Sequence, residues 1–116
     1  MMELHLPHQD PIKFARYIMF KDDKEALVKV EFDSVPSLPM IAEAAAQASG
    51  AFGSEDVSLG FLVTLKNIKL LQIPQALHYN AKIINEHNMG AMTYFSFEFL
   101  QEDILIATGS FIIAVE

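Results

Sequence analysis

Apolar and polar residues alternate along most of this chain, and the alternation stops in one place. Ala26 to Phe32 puts Leu27, Lys29 and Glu31 on one face and Val28, Val30 and Phe32 on the other, the two-residue period of a half-buried strand. Phe14 to Phe20 precedes it across Lys21-Asp22-Asp23-Lys24-Glu25, so the pair reads as strand, charged turn, strand. Four more runs follow. Gly60 to Leu71 is long and apolar, with Lys66 and Lys69; Ala76 to Ile84 alternates; Met92 to Leu100 aligns Phe95, Phe97 and Phe99 on one face; Ile104 to Val115 is rich in Ile and Val. Pro74, the Asn88-Met89-Gly90 turn and Glu102-Asp103 separate them, each break short enough for antiparallel connection.

The exception lies between the second run and the third. Asp33-Ser34-Val35-Pro36 breaks the strand pattern, Ser37 is a suitable N-cap, and Pro39 falls in a first helical turn, where its missing N–H costs nothing. The helix is predicted to run to about Phe52 and to stop at Gly53. Its residues are apolar on every side except for Glu43 and Gln47, which stand four apart and share a face. A helix without a polar side is wrapped by the rest of its protein, so its carboxylate must meet water, a partner or a substrate. Two strands, one helix and four strands give an antiparallel six-stranded sheet with a single element to cover its apolar face. The expected architecture is α+β, with the sheet curled around one central helix.

Composition narrows the function. The 116 residues show no repeat, low-complexity tract or linker, so residues 1–116 read as one domain. Such a chain buries roughly two thirds of its unfolded surface. With 52% hydrophobic residues and no Cys, packing rather than disulfides or thiolate-bound metal must hold it together, which fits a reducing cytoplasm. No basic leader precedes an apolar run, and no window approaches the roughly 18 to 20 apolar residues of a membrane span. Eight basic against fifteen acidic residues give a net charge of −7, and Arg16 is the sole arginine, which argues against a nucleic-acid partner. His5 and His8 are spaced i, i+3 without a third ligand nearby, so no metal site is expected. His78 and His87 read as surface residues, and the Phe95-Phe97-Phe99 stripe reads as core. Dinucleotide fingerprints, phosphate-binding loops and nucleophile elbows are missing from the sequence.

Three stretches carry a resemblance. Leu6-Pro7-His8 followed by Pro11 looks like an L-P-H-x-x-P opening segment; Glu43-Ala44-Ala45-Ala46-Gln47-Ala48 is similar to a helix motif of the form E-x-x-A-Q-A; Gly60-Phe61-Leu62-Val63 with Ile68-Lys69 resembles the strand that follows that helix. Together they resemble the hot-dog fold 3-hydroxyacyl-acyl carrier protein dehydratases of fatty acid synthesis and their relatives in aryl polyene-type pathways. The resemblance implies a hot-dog fold, an acyl thioester on acyl carrier protein or coenzyme A as substrate, and no cofactor. In such enzymes a His from a G-H-F-P segment removes the C2 proton, and a helix Glu facing it across a dimer interface helps the C3 hydroxyl leave. Glu43 aligns with that acid. Gln47, Met40, Ile41, Phe61 and Leu62 take substrate-binding positions, and the backbone N–H of Met40 or Ile41 is placed to polarise the thioester carbonyl.

One departure is large. Where the family places G-H-F-P, this chain has only Asp33-Ser34-Val35-Pro36-Ser37, and in the strand after the Leu6-Pro7-His8 segment Arg16 stands where Asp is usual. The expectation is therefore a dehydratase-like protein that forms a homodimer or higher assembly by extending its sheet, or a heterodimer with a His-bearing hot-dog subunit. Lys13, Arg16, Lys66 and Lys69 are the candidates for docking an acidic carrier or a phosphopantetheine phosphate. The alternatives are a hot-dog thioesterase, in which a carboxylate activates water, and a non-catalytic acyl-binding or assembly module.

Overall fold

The computed structural model describes residues 2–3, 13–52 and 60–115, with side chains described at 13–52 and 64–114. Its strands are β1 (Met2–Glu3), β2 (Ala15–Lys21), β3 (Glu25–Glu31), β4 (Gly60–Leu70), β5 (His78–Met89), β6 (Met92–Gln101) and β7 (Ile104–Val115). One α-helix, α1 (Leu38–Ala48), lies between β3 and β4. The strands form one antiparallel sheet in the order β1-β2-β3-β5-β6-β7-β4. Strands β5, β6 and β7 thus separate β3 from β4. The connection between those two must cross the sheet, and α1 is part of that crossing, which lays it over the apolar face. No helix among the described residues is long and apolar enough to cross a membrane.

All six expected strands are present, and the two-residue β1 adds a seventh beside β2. Strand β5 starts later than the alternation suggests and runs to Met89. At its start the Tyr79 hydroxyl folds back, donating to the Ala76 carbonyl at 2.7 Å and accepting the Ala76 N–H at 3.1 Å, which keeps Ala76 out of the ladder. At its end a register shift between Asn85 and His87 carries pairing on to Met89↔Met92, and Gly90 takes the turn at φ 65°. The helix ends earlier than expected: α1 stops at Ala48 and a 3₁₀ turn spans Ser49–Phe52. The Ser49 hydroxyl donates to the Ala46 carbonyl at 2.6 Å, and Gly50 follows, so two poor helix formers meet at that point. The predicted stop at Gly53 lies outside the described residues.

Small residues on the helix meet large ones on the sheet. Ile41, Ala44, Ala45 and Ala48 are fully buried against a surface that includes Val28, Val30, Ile83, Phe97, Phe99 and Phe111. The rings touch in two groups. Phe32 packs with Phe14, Tyr79 and Phe99 at centroid distances of 4.8, 5.8 and 6.1 Å, and Phe111 packs with Phe95 and Phe97 at 5.3 and 6.1 Å. Phe52, at the end of the 3₁₀ turn, extends the second group to Phe95 at 5.6 Å. The stripe of Phe95, Phe97 and Phe99 is core, as its two-residue period implies.

One glycine holds space in this core. Strand β4 shifts register between Lys66 and Lys69, and Asn67 takes a positive φ of 54°, so the strand bulges beside Ile68. Gly109, paired with Phe97 on the neighbouring strand, lies beneath Ile68. A Cβ at Gly109 would overlap the Ile68 side chain and sit 2.7 Å from Phe97 Cε2. Gly109→Ala is expected to destabilise the protein by about 1–3 kcal/mol, read as a lower urea midpoint; a midpoint equal to wild type would show that this packing yields freely.

The β2–β3 turn carries a pH-dependent contribution. Asp22 Oδ1 accepts the N–H groups of Lys24 and Glu25, both at 2.8 Å, and the bond from Glu25, then that from Lys24, holds its carboxyl below the usual 3.8. A depressed folded-state pKa stabilises above the unfolded value and is lost as pH falls through the folded value. Wild type should therefore be more stable than Asp22→Asn at neutral pH. In thermal melts the gap should close below the ordinary carboxylate range; a gap that persists in acid would refute the assignment.

Candidate functional site

The helix is wrapped on most of its circumference but not all. Ile41, Ala42, Ala44, Ala45, Gln47 and Ala48 are buried, whereas Met40, Glu43 and Ala46 are half-buried and Pro39 is exposed. Those last four fall at i, i+1, i+4 and i+7, so they form one stripe along a single side. Glu43 is the only ionisable group of α1 and stands in the middle of that stripe. An apolar strip with one carboxylate at its centre suits a ligand that is mostly hydrocarbon around one polar reacting group.

Gln47 fastens the carboxylate to the sheet. Its side-chain oxygen accepts the backbone N–H of Phe14 at 2.7 Å and that of Ala15 at 3.2 Å, where β2 begins. Its nitrogen donates to Glu43 Oε1 at 3.4 Å. The residue is only 3% exposed, so these bonds satisfy polar atoms that water does not reach. The register of β2 against β3 shifts between Ala15 and Tyr17, next to this anchor. Sequence reasoning finds Gln47 but not its partners, because backbone donors leave no mark on residue identity.

The other candidates separate clearly. Ile41 is a core side chain, and its N–H donates to the Ser37 carbonyl at 3.0 Å, so neither is turned to a ligand. Met40 packs partly against the core three residues before Glu43. Its N–H lies in the first turn, and no Ser37 side-chain cap occupies that helix start. Phe61 and Leu62 lie in β4 by backbone, but their side chains are outside the described residues, as are His5, His8 and the whole Leu6 to Pro11 segment.

No described imidazole faces the helix. The β3–α1 loop holds Asp33, Ser34, Val35 and Pro36. His78 precedes the core-facing Tyr79 on β5, so it points from the opposite side of the sheet, 3.6 Å from Glu31. His87 is exposed near the β5–β6 turn. Of the cations, Lys66 and Lys69 are exposed on β4, while Lys13 and Arg16 are half-buried at and before the start of β2.

No protein-family model matches the sequence, and no curated protein matches it either. Solved structures do match. The dehydratase heterocomplex ApeI:P from Xenorhabdus doucetiae is similar over 96% of this chain and 88% of its own, with a TM-score of 0.83 at 16% identity. A thioesterase from Haemophilus influenzae is similar over 85% of this chain and 76% of its own, with a TM-score of 0.68 at 11% identity. At such identities the likeness is one of backbone, and it agrees with the sheet order and the crossing helix: this chain has the hot-dog fold.

Proposed function

We propose that this chain handles an acyl thioester as a dehydratase-like hot-dog subunit, with Glu43 as its acid and the base supplied by a partner subunit. The observation that carries this reading is Glu43 itself, a half-buried carboxylate centred on the least buried stripe of the helix and held from behind by Gln47. The fold likeness to a dehydratase heterocomplex supports it. A second, His-bearing subunit would supply the imidazole that the β3–α1 segment Asp33-Ser34-Val35-Pro36 does not carry.

In the proposed reaction, the partner's base takes the C2 proton of a 3-hydroxyacyl thioester. Negative charge then develops on the thioester oxygen, where the Met40 N–H at the positive end of α1 can stabilise it. The C3–O bond breaks as Glu43 gives its proton to the departing hydroxyl, which leaves as water, and an enoyl thioester remains. Acyl carrier protein or coenzyme A carries the acyl group, in the cytoplasm. The subunits associate through β4, an 11-residue strand at the end of the sheet order whose outer edge is suited to pairing with a second sheet.

A thioesterase is the second reading, supported by the fold likeness to the Haemophilus influenzae enzyme and by a carboxylate that needs no imidazole to activate water. One experiment separates the two. The purified chain, alone and with a His-bearing hot-dog subunit, is incubated with 3-hydroxyacyl and enoyl thioesters while hydration and thiol release are followed together. The leading reading expects reversible hydration only in the mixed sample, lowered about 100-fold or more by Glu43→Gln. Thiol release by the chain alone would favour the thioesterase, and turnover unchanged in Glu43→Gln would exclude Glu43 from the chemistry.

A further inference from the structure

Gln47 is the one residue of this site whose chemistry is dictated by the backbone. Main-chain N–H groups only donate, and two of them, from Phe14 and Ala15, converge on one end of its amide. That end must be the oxygen. The other end is then the nitrogen, 3.4 Å from Glu43 Oε1, and an amide nitrogen only donates. Glu43 Oε1 is therefore an acceptor in this arrangement.

We propose that Gln47 is a positioning residue that assigns the proton of Glu43 to Oε2 and keeps Oε1 as the hydrogen-bond acceptor. The start of β2 sets the Gln47 rotamer, and Gln47 in turn sets the Glu43 carboxyl plane. When Glu43 gives up its proton, the same N–H goes on donating to the carboxylate left behind. The catalytic part of this inference rests on the proposed acid role of Glu43; the geometric part does not.

The test is a side-chain NMR titration of the full chain, which needs no turnover. In wild type the Gln47 amide protons and nitrogen should shift with pH in step with the Glu43 carboxyl carbon, and in Glu43→Gln that pH dependence should vanish. Gln47 resonances indifferent to the ionisation of Glu43 would overturn the proposal. Gln47→Glu retains an oxygen for the Phe14 and Ala15 N–H groups while placing a second carboxyl against Glu43, so both carboxyls should titrate as a coupled pair, the later proton held to pH at least about one unit higher. Independent titration of the two carboxyls in a folded variant would likewise overturn it. If Gln47→Glu does not fold, the wild-type and Glu43→Gln titrations decide alone. Where turnover is measurable, Gln47→Glu should move the pH profile and lower kcat with little change in KM. NMR coupling in a chain that turns nothing over supports the positioning and counts against the acid role.

Discussion

The structure depends on a match of volumes between α1 and the sheet it crosses. Ile41, Ala44, Ala45 and Ala48 present little more than methyl groups around one branched side chain, and Phe97, Phe99 and Phe111 supply the bulk from the other side. Interiors pack to near-crystalline density, so large rings on the concave face demand small residues on the helix that enters it. Gly109 shows the same rule within the sheet, where Ile68 and Phe97 already occupy the place of a side chain.

Close approach also explains the polar pair. A helix held this near the sheet brings the Gln47 amide within hydrogen-bond reach of the β2 backbone, and burial makes that bond costly to lose. The sheet covers the alanine side of α1 and leaves the side that carries Met40, Glu43 and Ala46 half open. Anchor and opening are two consequences of one placement. Glu43 sits where they meet, touching Gln47 on one oxygen while lying on the half-open stripe.

Much of this was legible in the residues. Period-two patterning placed Val28 and Val30 on the buried side of β3, Phe32 on the same side just past its end, and the phenylalanines of β6 in the core, because a strand that is half covered leaves that alternation directly in its sequence. Boundaries were less legible where side chains bond to backbone. Ser49 turns the end of the helix into a 3₁₀ turn, and the Tyr79 hydroxyl holds Ala76 out of β5. Pairing of β1 with β2 was hidden as well, since a two-residue strand has no period to detect.

The sequence by itself determined the element order, the apolar helix and the two polar residues one turn apart on it. Local periodicity and capping chemistry act between near neighbours, and so remain visible without coordinates. Only the tertiary structure decided what Gln47 bonds to and which side of α1 stays half open. These outcomes join residues as much as 33 positions apart, through backbone atoms that every residue shares, and no pattern of side chains encodes them.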